Sequence, residues 1–190
     1  MDIFAHALWT TAAATVGRRR LHRRIHLGWA AFWGIFPDLF SFAIPAVIRI
    51  WWYATGTTRS LLPDAHSPQH FQFVWQLYHF SHSLLVFAVV FGLVWWLARR
   101  SVLELLGWGL HILIDIVTHR GIFAVHFLWP LSSYGFEGIR WENPWFLAVN
   151  YGLLITVFGW MWVRSRRADA PVLTEARSAS EEPARAIPPG

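Results

Sequence analysis

Between Gly109 and Arg120 an apolar run holds an imidazole, His111, and a carboxylate, Asp115, four residues apart. Residues at i and i+4 share one helix face, so both groups project together from a segment that looks lipid-embedded. Ionisable side chains at such depth are costly and usually serve a site, a pathway or each other. Three other apolar segments carry the same anomaly, with His6, Asp38 and the pair His79/His82. Histidine nitrogen and aspartate oxygen suit Zn, Mn or Fe, and a bound divalent ion can activate water for ester or phosphoester hydrolysis. The chain has no cysteine, so a metal here must use imidazole, carboxylate or water.

The elements that would carry these groups are apolar helices. Of 190 residues, 55% are hydrophobic and fourteen are Trp. Phe71–Ala98 and Pro144–Val163 are long enough to cross a hydrocarbon core of about 30 Å. The expectation is an all-α, polytopic transmembrane bundle of four to five helices, with residues 1–163 membrane-embedded and 164–190 a disordered cytoplasmic tail. The helices fall near Asp2–Val16, Leu27–Tyr53, Phe73–Ala98, Val102–Thr118 and Trp145–Val163, the second broken near Pro37 and again at Pro45. Ala54–His70 and Gly121–Asn143 read as loops.

The net charge of +5 does not point to nucleic acid. The arginines flank apolar spans, at 18–24, 99–100 and 164–167, which is the positive-inside arrangement of a multi-pass inner-membrane protein. The first cluster follows the N-terminal apolar stretch instead of preceding it, so no cleavable signal peptide is expected. With the arginines cytoplasmic, His6 lies about 18 Å from Arg18, Asp38 about 21 Å from Arg24 and His82 about 25 Å from Arg99, at 1.5 Å per residue. His111 and Asp115 lie about 16 and 22 Å from Arg100. Five polar groups on four segments thus share one layer.

Each residue has a plainer reading. His111/Asp115 can be a hydrogen-bonded pair within the bundle, Asp38 a helix cap after Pro37, His79 an interfacial side chain and His6 a packed one. His82 is the stronger of its pair, with Ser81 or Ser83 placed to bond its second nitrogen. His119, Arg120 and His126 follow helix 4 and can bind phosphate or complete a metal shell. His66/His70 reads as incidental, and His22/His26 as facing headgroups.

Three longer signatures give a resemblance: Tyr78-His-Phe-Ser-His-Ser-Leu84, Leu110-His-Ile-Leu-Ile-Asp115 and Phe127-Leu-Trp-Pro-Leu-Ser132, together with His6 and Phe36-Pro-Asp38. In these the chain resembles the bacterial membrane-bound, metal-dependent hydrolases, also described as LexA-binding, inner-membrane-associated hydrolases, over residues 1–163. That family is distantly similar to zinc-dependent phospholipase C. The resemblance implies Asp38, His82, His111 and Asp115 as metal ligands and hydrolysis of an ester or phosphoester, such as a lipid. His6 joins the expected ligand set by its shared depth, with His79 and His119 as acid/base or supporting groups and a substrate's acyl chain entering from the bilayer. Many relatives carry a second Asp where Phe40 stands, and no second His-x-x-x-Glu pair is present; one or two divalent ions are therefore expected, Zn ahead of Mn or Fe. LexA binding is not carried over, and protein partners are left open. The rival readings are a structural His/Asp cluster without catalysis and a protein that translocates metal or protons.

Overall fold

A computed structural model describes residues 1–57 and 72–181. The described residues form six α-helices and no strand: α1 (Ile3–Leu21), α2 (Leu27–Ala54), α3 (Gln72–Ser81), α4 (Leu84–Ala98), α5 (Leu106–Thr118) and α6 (Pro144–Glu181), with short 3-10 turns at Leu103–Leu105 and Gly121–Phe123. Two helices, Leu27–Ala54 and the Pro144–Arg167 part of α6, are long and apolar enough to cross a membrane, and α3 with α4 makes a third span if the bent pair is counted as one. At 13 residues, α5 is about 20 Å long, short of a full crossing. The chain divides into two units, Met1–Val149 and Asn150–Gly190.

Helix 3 of the sequence reading is not one helix. It breaks at His82–Ser83, and α3 and α4 meet at 61°. A break in an apolar medium leaves backbone groups that must find partners, and several here find them in other segments. Ser83 caps α4 by accepting from Val86 N at 3.2 Å and donates its hydroxyl to the Trp129 carbonyl at 2.5 Å. Leu84 N donates to the Phe127 carbonyl at 2.9 Å. The Trp108 indole N–H donates to the Ser81 carbonyl at 2.6 Å. The Phe127–Ser132 signature therefore serves the break: its carbonyls receive the donors that the break exposes. Replacing Ser83 by alanine removes the cap and strands Trp129 O, at an expected cost of about 1–2 kcal/mol. Thermal unfolding in detergent measures it, and an unchanged midpoint would refute this account of the break.

The second correction concerns α2, which runs unbroken from Leu27 to Ala54 with Pro37 and Pro45 inside it. Each proline removes one N–H donor, whereas a full break would strand several groups in apolar surroundings. The Ser41 hydroxyl returns to the Pro37 carbonyl at 2.9 Å and shares a 2.8 Å bond with the Ser81 hydroxyl, tying α2 to the end of α3. Asp38 is consequently mid-helix and does not cap a restart.

Helix α1 is capped by Asp2, which accepts from Ala5 N at 3.0 Å, and it continues past Val16 through the arginine cluster to Leu21. Helices α1, α2 and α5 approach closely through small residues, as membrane helices do. A Cβ on Gly107 would stand 2.5 Å from the Ala30 carbonyl oxygen and 2.8 Å from Thr10 Cγ2. The Thr10 hydroxyl is turned into its own helix, donating to the His6 carbonyl at 2.7 Å, which leaves the methyl at the contact. Leu105, Trp108, Ile112 and Val125 form a buried cluster, with Trp33, Phe36 and Phe87 packed on it.

The segment 138–141 closes the end of α5: Gly138 N donates to His119 O, Ile139 N to Val117 O and Trp141 N to Thr118 O. Helix α6 extends beyond Arg167 to Glu181, into the stretch expected as an unstructured tail, whose Ala and Glu content favours helix. Before that stretch, Arg164 and Arg166 lie 5.4 and 4.2 Å from the ring centroids of Trp160 and Trp162, a cation–π geometry. The His66/His70 pair and residues 182–190 lie outside the described residues.

Candidate metal centre

Asp38 from α2, His82 from the α3–α4 break, and His111 and Asp115 from α5 each offer one ligand atom, and these four atoms lie within 4.8 Å of one another. His82, His111 and Asp115 are fully buried, whereas the Asp38 side chain is 20% exposed. The one-turn spacing on α5 does what the sequence predicts: His111 Nε2 is 3.1 Å from Asp115 Oδ2.

Both imidazoles are held by their other nitrogen. His111 Nδ1 is 2.7 Å from the Gly34 carbonyl. His82 Nδ1 is 3.1 Å from the Tyr78 carbonyl and 2.9 Å from the Ser81 hydroxyl. A carbonyl only accepts, so each Nδ1 carries the proton, and a neutral ring then presents a lone pair at Nε2. The two Nε2 atoms face each other at 3.1 Å. Asp38 Oδ1 lies 3.6 and 3.7 Å from them. Two lone pairs and two carboxylates so arranged repel unless positive charge sits among them.

The two oxygens of Asp115 divide the work. Oδ1 accepts from the Met1 amino group at 2.6 Å and from the Thr118 hydroxyl at 3.2 Å. It also lies 2.9 Å from His6 Nε2 and 3.2 Å from His119 Nδ1. Oδ2, which faces the paired Nε2 atoms, is buried and has no hydrogen-bond partner. An orphaned carboxylate oxygen aimed at two imidazole lone pairs fits a cation, and this is the test that the donor set passes.

His6 is brought to the group but not into the set of four: its ring stacks on His111, centroids 3.8 Å apart. His119 sits at the rim, about 9% exposed. His79 stands apart and stacks on His126 at 4.4 Å. The reason is helical phase. Tyr78 stacks on His82 at 4.0 Å, so the face of α3 that carries Tyr78 meets the site, and the next residue is turned about 100° away. Sequence reasoning missed Gly34, whose carbonyl orients His111, and the part played by Tyr78. Each stands four residues before a ligand, Asp38 or His82, and that shared helix face was the available signal.

The sequence profile of the YdjM inner membrane protein family matches residues 1–174. The chain belongs to this family. The YdjM match agrees with the apolar helices in making it a bacterial inner-membrane protein. No curated protein and no solved structure matches the chain. What YdjM membership adds to the His/Asp group is its setting, a membrane; the family description names no reaction.

Proposed function

We propose that the protein is a membrane-bound, metal-dependent hydrolase acting on an ester or phosphoester whose substrate carries an acyl chain. The observation that carries this reading is the pair of Nε2 atoms facing at 3.1 Å beside the unpartnered Asp115 Oδ2. Two nitrogen and two oxygen donors suit Zn, Mn or Fe, held by Asp38, His82, His111 and Asp115. When bound, such an ion supplies Lewis acidity toward a carbonyl or phosphoryl oxygen and acidifies water toward neutral pH.

The chain's own residues do the positioning. The Gly34 and Tyr78 carbonyls fix which nitrogens face inward, as groups behind metal ligands commonly do. Asp38 is the one member of the four with real exposure, and it lies within a membrane-crossing helix. Approach from the bilayer follows, and with it an acyl-chain substrate. At the rim, His119 Nδ1 beside Asp115 Oδ1 is placed to hold a proton and pass it outward. With the arginine clusters cytoplasmic, as the positive-inside rule favours, this opening would face the non-cytoplasmic leaflet.

A second reading, a structural His/Asp cluster without catalysis, is favoured by the four groups gathered on Asp115 Oδ1. One experiment separates the two. The full chain purified in detergent is assayed for Zn, Mn and Fe, then for cleavage of ester and phosphodiester panels with and without chelator. The hydrolase reading expects about one ion per chain, a chelator-sensitive activity, and loss of both in His111→Ala. Metal-free wild-type protein of normal stability would leave the structural reading. Metal without cleavage of any panel member would retain the centre and discard hydrolysis.

A further inference from the structure

At the opposite end of α1 from His6 lies a second feature, independent of the hydrolase reading. Arg23 and Arg24, after α1, and Arg99 and Arg100, after α4, surround a hollow of about 530 Å³ that also touches Trp95 and Leu103. None of these four arginines has an ion pair or hydrogen bond among the described residues. Glu104, the carboxylate closest in sequence to Arg99 and Arg100, is engaged by His26 N at 2.9 Å. Both helices that deliver the arginines end in a left-handed residue that is not glycine, His22 at φ 50° and Arg99 at φ 52°. Such a conformation costs about 1–2 kcal/mol, and here it stands beside arginines from segments some 75 residues apart that line one hollow.

Leu103 also lines an apolar groove of about 260 Å³, walled by Ala14, Gly17 and Leu21 of α1 and by Leu106 and Leu110 of α5. The groove reaches Thr10, and from Thr10 to Leu21 it follows α1 for about 17 Å. One leaflet of hydrocarbon is about 15 Å deep. A cationic hollow and an apolar groove of one leaflet's depth thus share Leu103 as a wall, and an exposed tryptophan, Trp95, lines the cationic side, as aromatic anchors do at an interface.

We infer that hollow and groove together form a binding site for one anionic phospholipid, its phosphate among Arg23, Arg24, Arg99 and Arg100 and an acyl chain along α1 and α5. Guanidinium forks match phosphate oxygens in pairs, and four unpartnered ones suit a headgroup with two phosphates better than one. Basic pockets between membrane helices recognise such headgroups by this chemistry. The phosphate sits at the arginine end, remote from the His/Asp group, so this lipid is a resident ligand and not the substrate.

The test is native mass spectrometry of the full chain in detergent, titrated with phosphatidylglycerol, diphosphatidylglycerol, phosphatidylethanolamine of matched chains, and inorganic pyrophosphate. Diphosphatidylglycerol is expected to bind about tenfold or more tighter than phosphatidylethanolamine, and Arg99→Gln with Arg100→Gln to bring the two near parity, given the usual strength of arginine at an anionic surface. Should that variant fail to insert, Arg99→Lys with Arg100→Lys keeps the charge and still loses the forks; a severalfold weakening is expected. Gly17→Leu fills the groove, since a Cβ there meets only Ile25 Cδ1 at 3.6 Å, and is expected to weaken lipid but not pyrophosphate. Parity among the lipids in wild type would overturn the proposal. So would pyrophosphate displacing lipid while Gly17→Leu changes nothing, an outcome that marks a soluble-anion site.

Discussion

Replacing Asp115 by alanine is expected to remove bound metal and to lower stability by about 3–5 kcal/mol, the usual cost of taking one partner from a buried charged group. The substitution deletes both oxygens. The Met1 amino group and the Thr118 hydroxyl lose their acceptor on Oδ1, the His6 and His119 rings lose the carboxylate beside them, and His111 and His82 lose Oδ2. In a chain of this size the midpoint should fall by roughly 6–20 °C. Asp115→Asn separates the two halves of the effect. It keeps the shape and one acceptor oxygen, so most of the stability is expected to remain while metal falls at least tenfold, as with other disturbed metal sites. Metal analysis and thermal unfolding of the two variants in the same detergent decide this. Full metal content in Asp115→Asn would remove Asp115 from the ligand set.

A methyl group that touches no ligand atom, one helical turn before His111, should also empty the site. In Gly107→Ala the new Cβ falls 2.5 Å from the Ala30 carbonyl oxygen and 3.0 Å from Gly34 N. Both are backbone atoms, so no side chain can swing aside; α5 and α2 must separate. Overpacking of this kind costs about 1–3 kcal/mol. The Gly34 carbonyl, one residue's backbone from that collision, holds His111 Nδ1 at 2.7 Å, and its displacement frees the imidazole to turn. The expected result is a lower unfolding midpoint together with metal affinity reduced about 10–100-fold, the range seen when a ligand's supporting bond is lost. Gly17→Ala is the control, because its Cβ meets only a flexible side-chain tip at ordinary contact distance. Equal metal content in the two alanine variants would break the link between helix packing and the site.

What could be read in advance followed from local rules. His111 and Asp115 pair because i and i+4 coincide on any helix, whatever that helix packs against. The shared depth of His6, Asp38, His82, His111 and Asp115 followed from counting residues to the arginines, and the chain does bring these five together. Counting could not resolve phase. His79 and His82 lie in one run at similar depth, yet only the latter reaches the group, because the break that releases it is made by partners from elsewhere: Trp108 on α5 and the Phe127 and Trp129 carbonyls. No glycine or proline marks that break, and Pro37 and Pro45, which seemed to mark breaks, sit inside a continuous α2.

The amino-acid order alone settles that this is a helical membrane chain, which segments are apolar, and which few polar side chains lie deep within them, since burial in lipid admits so little else. Which of those side chains share a centre was decided only by the tertiary structure. Thr10, packed against both Gly34 and Gly107, sets how closely α1, α2 and α5 approach, and a capped kink sets the angle at which His82 arrives. Both depend on atoms more than twenty residues apart in the chain, and no local periodicity records them.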